Sequence, residues 1–285
     1  MTREDVTFLS GGDEIAAWLY RGGEVCVVMA HGFSLTRHDG LHTYAEALNS
    51  AGATVLVFDH RYLGDSGGEP RQRIRVKEQS DDYRAAIAYA RGLDGIDPKK
   101  IVLWGYSFAG GTSVNVAAND PRIAGLILLC PFLDGRARVI GTTRRTPWVA
   151  TRVMGRAIRD RLGSPNTIKA TGEPGEMAAM AFTGEAAGFA ACASSEWINE
   201  ASPGAFATIA THRPVTKAKR MAMPVWVGLG ERDITVSGKA IEKLAREAPH
   251  AELHRYGIAH FEPFHGNDPA VIAADQADWL RRQSF

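Results

Sequence analysis

The segment IVLWGYSFAGG, residues 101–111, holds the strongest chemical signal in the chain. An apolar run suited to a strand leads into Gly105-Tyr106-Ser107-Phe108-Ala109-Gly110-Gly111, and a helix-like pattern follows. A serine on a sharp strand-to-helix elbow presents its hydroxyl at the end of a sheet. That turn needs small residues two before and two after the serine, because neighbouring backbone must approach closely. Gly105 and Ala109 stand there, so the strict G-x-S-x-G pattern is missed by one methyl group. The competing reading is a glycine-rich turn that binds phosphate at a helix N-terminus. It would require G-x-G-x-x-G or a Gly-Lys-Ser/Thr ending, and the segment has neither.

Four further segments accompany the elbow in order: HGFSLTRHDG, FDHRYLGDSGG, GERD and GIAHFEPF. Together they resemble the landmarks of α/β-hydrolases, in particular bacterial esterase and dienelactone-hydrolase-like members, which also resemble some polyketide acyltransferases. The resemblance covers nearly the whole chain except a central insertion. It implies an eight-stranded sheet and a Ser-acid-His triad in the chain order Ser…Asp…His.

A serine hydroxyl is a weak nucleophile until a general base, itself oriented by a carboxylate, takes its proton. Of nine histidines, His260 fits best, in a loop just after the strand-like AELHRY and following Gly257. His254 lies inside that strand and reads as structural; His265 shares the loop but lies further from the strand end. Asp233 closes the run WVGLGER and would reach the same sheet edge, although aspartate before a helix is also an ordinary N-terminal residue. Asp134, just past the strand ending at Cys130, is the alternative acid. The backbone N–H groups of Phe33 and Phe108 are the expected oxyanion donors, each worth about 3 kcal/mol when removed. His31 before Gly32 reads as a loop-holding residue rather than a base.

These residues need a scaffold, and the periodicity supplies one. VTFLS and IAAWLY, split by Gly11-Gly12-Asp13, read as an antiparallel hairpin. Residues 25–30, 53–58, 101–105, 123–130, 224–230 and 251–256 read as strands, with helices near 41–51, 78–91, 107–119, 236–247 and 270–282. Such alternation implies an α/β fold with a mostly parallel, doubly wound sheet. The rhythm breaks for roughly 85 residues after Pro131, too long for an ordinary connection. Residues 134–218 are therefore expected to form a largely helical lid on a core of 1–133 and 219–285, over the carboxyl edge where such sheets bind ligands.

Between Arg136 and Arg161 the insertion carries eight arginines, Arg136, Arg138, Arg144, Arg145, Arg152, Arg156, Arg159 and Arg161, against one acid, Asp160. Arg152, Arg156 and Arg159 share a helical face. The plainer expectation is a solvated face balanced by Glu173, Glu176, Glu185, Glu196 and Glu200. The sharper one is a landing site for coenzyme A or an acyl-carrier protein. Met177, Met180, Phe182 and Trp197, with Phe189, are either lid core or the wall of an apolar acyl pocket. Tyr62, standing where the family turn D-x-R-G-x-G-x-S has glycine, is placed at the pocket mouth.

Carboxylic ester hydrolysis through an acyl-enzyme on Ser107 is the leading function. Acyl transfer or thioester cleavage follows, and a ligand receptor on the same fold is the non-enzyme alternative. Epoxide hydrolases and dehalogenases of this superfamily use aspartate at the elbow, so Ser107 argues against them. A formal net charge of +1 gives no bulk electrostatic case for nucleic acid or an anionic membrane. The acidic, apolar-poor N-terminus does not read as a signal peptide, and no apolar run is long enough to span a bilayer. Cys26, Cys130 and Cys192 form no metal or disulfide pattern, which suits a reducing cytoplasm. No cofactor or metal is expected. The expected partner is a small acyl substrate, with carrier contact and a homodimer left open.

Overall fold

A computed structural model describes residues 2–285. It opens with the hairpin β1 (Arg3–Ser10) and β2 (Asp13–Tyr20), then β3 (Cys26–Ala30), α1 (Leu41–Ser50), β4 (Thr54–Phe58) and α2 (Val76–Arg91). There follow β5 (Ile101–Tyr106), α3 (Ser107–Ala117) and β6 (Ile123–Leu129). After the insertion the chain completes β9 (Val225–Gly230), α7 (Gly238–Glu247), β10 (Ala251–Tyr256) and α8 (Asp268–Arg282). The eight strands form one sheet in the order β1-β2-β4-β3-β5-β6-β9-β10, antiparallel only at the β1–β2 and β2–β4 pairings. The expected α/β-hydrolase sheet is thus present.

Strands β3 to β6 read as unbroken apolar runs because both faces of the sheet are covered. Successive side chains point to opposite faces. Val28, Leu56 and Leu103 pack with Tyr83, Ala86 and Ile87 of α2 and with α3 and α7. Val27, Val57 and Trp104 pack with Tyr44 and Leu48 of α1 and with Ile272 and Trp279 of α8. Burying the Trp104 indole requires a partner for its N–H, and Gln276 accepts it at 2.8 Å. All three cysteines are buried and free.

Between β6 and β9 lie α4 (Gly135–Arg145), α5 (Pro147–Arg161), a short parallel pair β7 (Lys169–Thr171) and β8 (Ala178–Met180), and α6 (Glu185–Cys192). The expected boundary at 218/219 falls inside the 3-10 helix Pro214–Arg220, whose Val215 and Ala218 are buried in the main core. Asp134 caps α4 by accepting from the backbone N–H groups of Arg136 and Ala137.

The arginine balance differs from expectation. Of the five glutamates, only Glu185 pairs with one of the eight arginines, Arg138. Glu176 is taken by Lys169, and Glu196 faces His38. No helix among the described residues is long and apolar enough to cross a membrane.

Candidate active site

The carboxyl ends of β3, β5, β9 and β10 converge on Ser107. Its φ of 50° is a left-handed conformation that non-glycine residues rarely adopt. The elbow explains the glycine before it. A Cβ on Gly105 would lie 2.7 Å from the carbonyl carbon and oxygen of Ala109 and from the Gly110 Cα, all backbone atoms without freedom to move. Ala109 itself is fully buried, so the elbow holds a methyl group at that position where it has no room for one at Gly105.

The structure brings the three expected residues together. The Ser107 hydroxyl lies 2.9 Å from Nε2 of His260, and Nδ1 of His260 lies 2.6 Å from Oδ2 of Asp233. The other Asp233 oxygen accepts from the backbone N–H groups of Thr235 at 2.8 Å and Val236 at 3.1 Å. An ionised carboxylate only accepts, so Nδ1 carries the imidazole proton and Nε2 is left as acceptor for the serine. The His260 loop is anchored from the elbow side, where the Tyr106 hydroxyl donates to the His260 carbonyl at 2.7 Å. Asp233 and His260 have side chains 1% and 3% exposed, which keeps their interaction away from solvent screening.

The competing residues lie elsewhere. His254 stacks on Trp226, with ring centres 5.0 Å apart. His265 follows the turn Glu262–Phe264 and has no side-chain contact with Ser107 or Asp233 among the described residues. Asp134, besides capping α4, pairs with Arg213. His31 holds its loop: Nδ1 accepts from Gly32 N–H at 2.8 Å, leaving Nε2–H to donate to the Asp39 carbonyl at 2.9 Å. Burial lowers its pKa to about 4, against the pull of Asp39.

Phe33 and Phe108 flank the serine. A Cβ on Gly32 would sit 3.0 Å from Ser107 Cβ, which shows how closely this loop approaches the serine. The Phe33 amide has no hydrogen-bond partner among the described residues. Phe108 lies in the first turn of α3, where N–H groups have no partner within the helix. The two rings meet edge to face at 5.9 Å, and Phe206 packs on Phe33 at the same distance.

The remaining pocket candidates separate. Trp197 reaches the site: its Nε1–H donates to the Ser34 carbonyl at 3.0 Å, beside Phe33, and its ring packs on Phe189. Met180 is buried with Phe189, Cys192 and Phe261. Met177 instead packs on Val149, Val153 and Ile168 inside the insertion. The guanidinium groups of Arg138 and Arg145 both lie over the Phe182 ring, at 3.9 and 4.5 Å from its centre. Tyr62 is not at the mouth of this site. Its φ is 72° and its ring fills the space beside Gly68 and Asp13, under the Arg73 guanidinium.

Several residues that hold the site carry no local sequence signal. Asp39, fully buried, accepts from Thr36 through one oxygen and from Ser194 N–H at 2.7 Å through the other, tying the insertion to the loop that carries Phe33. The Ser34 hydroxyl donates to the Glu200 carbonyl in the same seam. On the other side, Glu185 of α6 accepts from the Thr235 hydroxyl at 2.8 Å, and Arg138 donates to both Glu185 and the Thr235 carbonyl. His212 stacks on Phe132 and packs on Phe108, and burial lowers its pKa to about 4. The insertion thus grips the loops of both Phe33 and Asp233.

One cluster, His38, Asp59 and Asp65, has metal-ligand spacing. The Arg37 guanidinium binds both carboxylates and occupies the place a cation would take.

The model of the alpha/beta hydrolase fold family matches residues 25–265. The quorum-quenching protein AidA of Acinetobacter baumannii is 36% identical over 98% of this chain and 94% of its own. The polyketide transferase ATR5 of Stachybotrys chlorohalonatus is 33% identical, with 65% of this chain and 62% of its own covered. The crystal structure of the α/β hydrolase GrgF from a Penicillium species superposes with a TM-score of 0.82, at 22% identity and 99% coverage of both chains. A family match spanning all but the two ends, on a sheet of the same architecture, makes this chain a member of the α/β-hydrolase family.

Proposed function

We propose that this chain is a serine hydrolase that cleaves a carboxylic ester of a hydrophobic acyl group. The observation that carries the reading is the continuous Ser107–His260–Asp233 hydrogen-bond chain at the elbow. Ser107 Oγ attacks the acyl carbonyl carbon while its proton passes to His260 Nε2, and Asp233 stabilises the imidazolium that forms. The carbonyl electron pair moves onto oxygen, which the Phe33 and Phe108 N–H groups receive. Collapse breaks the bond to the alcohol, which takes the proton from Nε2. Water then repeats the sequence on the acyl-enzyme. Phe33, Phe108 and Phe206 around the serine favour an apolar acyl group over a charged one.

Acyl transfer to a thiol or alcohol, or thioester cleavage, is the second reading. It is favoured by the relative named a polyketide transferase and by the burial of Ser107, 7% exposed, which limits entry of competing water. A receptor on this fold is the third. One experiment separates them: p-nitrophenyl esters of graded acyl length, with and without an added thiol. Hydrolysis at multiple turnovers supports the first reading. Thiol-dependent product formation exceeding hydrolysis supports the second. A single slow event, or none, would overturn both in favour of a receptor.

A further inference from the structure

Nine large hydrophobic residues are exposed among the described residues, and five of them, Ile140, Trp148, Met154, Ile158 and Leu162, lie in α4, α5 and the residue that follows α5. Helix α5 is apolar on two opposite sides. Val149, Val153 and Ala157 face inward. Trp148, Thr151, Met154, Gly155, Ile158 and Leu162, spaced three and four residues apart, make the outward stripe. Trp148 is 53% exposed, Ile158 49% and Leu162 80%. Arg152, Arg156 and Arg159 flank this stripe on one side and Arg161 on the other.

The charges are not neutralised locally. The acid of this region, Asp160, points inward and pairs with Arg75 of the core. Arg138 is consumed by Glu185. Arg136, Arg144, Arg145, Arg152, Arg156, Arg159 and Arg161 have no carboxylate partner among the described residues. A formal net charge of +1 for the whole chain hides this segregation. An apolar groove of about 560 Å³ runs beside the stripe between α4 and α5, with Phe206, the residue that packs on Phe33, among its lining residues.

We propose that the outer face of α5 is a docking surface for an anionic lipid bilayer. Exposed apolar side chains flanked by arginines match an interface with acyl chains below anionic head groups. A second copy of the chain fits poorly. Two-fold pairing of the stripe on itself sets Arg152, Arg156 and Arg159 against the same row when antiparallel, or against Arg161 when parallel. An acidic carrier protein would satisfy the arginines but not the apolar stripe between them. In the docked state the groove opens toward the lipid, giving an acyl chain a path toward Phe206.

Binding tests this without turnover, so its outcome is independent of the hydrolase reading. The intact protein is mixed with vesicles of phosphatidylglycerol or of phosphatidylcholine and sedimented. Binding to the anionic vesicles, weakened by salt, is expected. Replacing Arg152, Arg159 and Arg161 by Gln should lower partitioning about fivefold per charge, and Ile158→Ser with Leu162→Ser about tenfold per side chain. All five side chains are exposed, and an unchanged melting temperature confirms intact folding. A blue shift of tryptophan emission on binding should disappear in Trp148→Phe. Equal binding to both lipids, no binding, or binding untouched by the substitutions would overturn the proposal. So would a solution dimer that shields Trp148, or capture of an acidic acyl-carrier protein in preference to vesicles.

Discussion

Substituting Glu185 by Gln tests whether the insertion positions the loops of the proposed triad or merely covers them. Glu185 is buried, with a side chain 2% exposed beside an Arg138 side chain 11% exposed. It accepts four hydrogen bonds, two from Arg138, one from the Thr235 hydroxyl and one from Phe182 N–H. An amide of the same shape turns one acceptor into a donor that faces Arg138 in either orientation, and the Phe182 N–H as well in one of them, and it leaves the guanidinium without a counter-charge. Removing one partner of a buried pair costs about 3–5 kcal/mol, and the retained Thr235 contact puts Gln at the low end. Replacing both, Glu185→Leu with Arg138→Met, should recover most of that loss, because no buried charge is then unpaired. Thr235 also supplies one of the N–H groups that fix Asp233, so looser positioning should lower kcat about tenfold, equivalent to about 1.4 kcal/mol.

The assay pairs urea unfolding with kcat on a p-nitrophenyl ester. Burial pushes the Glu185 carboxyl up, but Arg138 and the hydrogen bonds outweigh it and hold the pKa below the ordinary value. The stabilisation should therefore be complete above the unfolded glutamate range near ~4.3 and fade as pH falls through the lower folded value. A loss below about 1 kcal/mol with kcat unchanged would refute the positioning argument, since a buried pair cannot be cut that cheaply.

Three other outcomes follow from the same geometry. Trp197→Phe keeps the packing on Phe189 but removes the bond to the Ser34 carbonyl; kcat should fall about tenfold with KM little changed, measured on a short-chain ester. His31 and His212, with folded pKa values lowered to about 4, are neutral in the fold, whereas the unfolded chain takes up protons below ~6.5. Stability should therefore fall between those values by about 3 kcal/mol for each histidine, and His212→Phe, which keeps the aromatic stack, should flatten the slope seen by urea unfolding. His260→Ala should cost about 10⁴-fold or more in kcat, Asp233→Asn somewhat less, and the double variant scarcely more than His260→Ala. His265→Ala should keep most of its activity.

The parts that could be read in the sequence are those where local chemistry and period agree. β3 to β6 announce themselves because a strand covered on both faces must be apolar throughout. Ser107, Asp233 and His260 each stand at a strand end, so the sheet's own topology gathers them. What could not be read depends on contacts distant along the chain. The Asp39–Ser194 bond spans 155 residues and the Glu185–Thr235 bond spans 50, and neither leaves a spacing pattern. Composition alone pairs the glutamates of the insertion with its arginines, yet sequence proximity does not decide which charges meet. A large residue in place of the motif's glycine suggests a pocket contact for Tyr62; in the structure its ring packs the turn.

The central proposal is that Ser107 is the nucleophile. A fluorophosphonate probe should label the intact protein once, at Ser107, with ester turnover lost in step with labelling, and Ser107→Ala should abolish both. Stoichiometric labelling or turnover that persists in Ser107→Ala would contradict the account and assign the chemistry to a different residue.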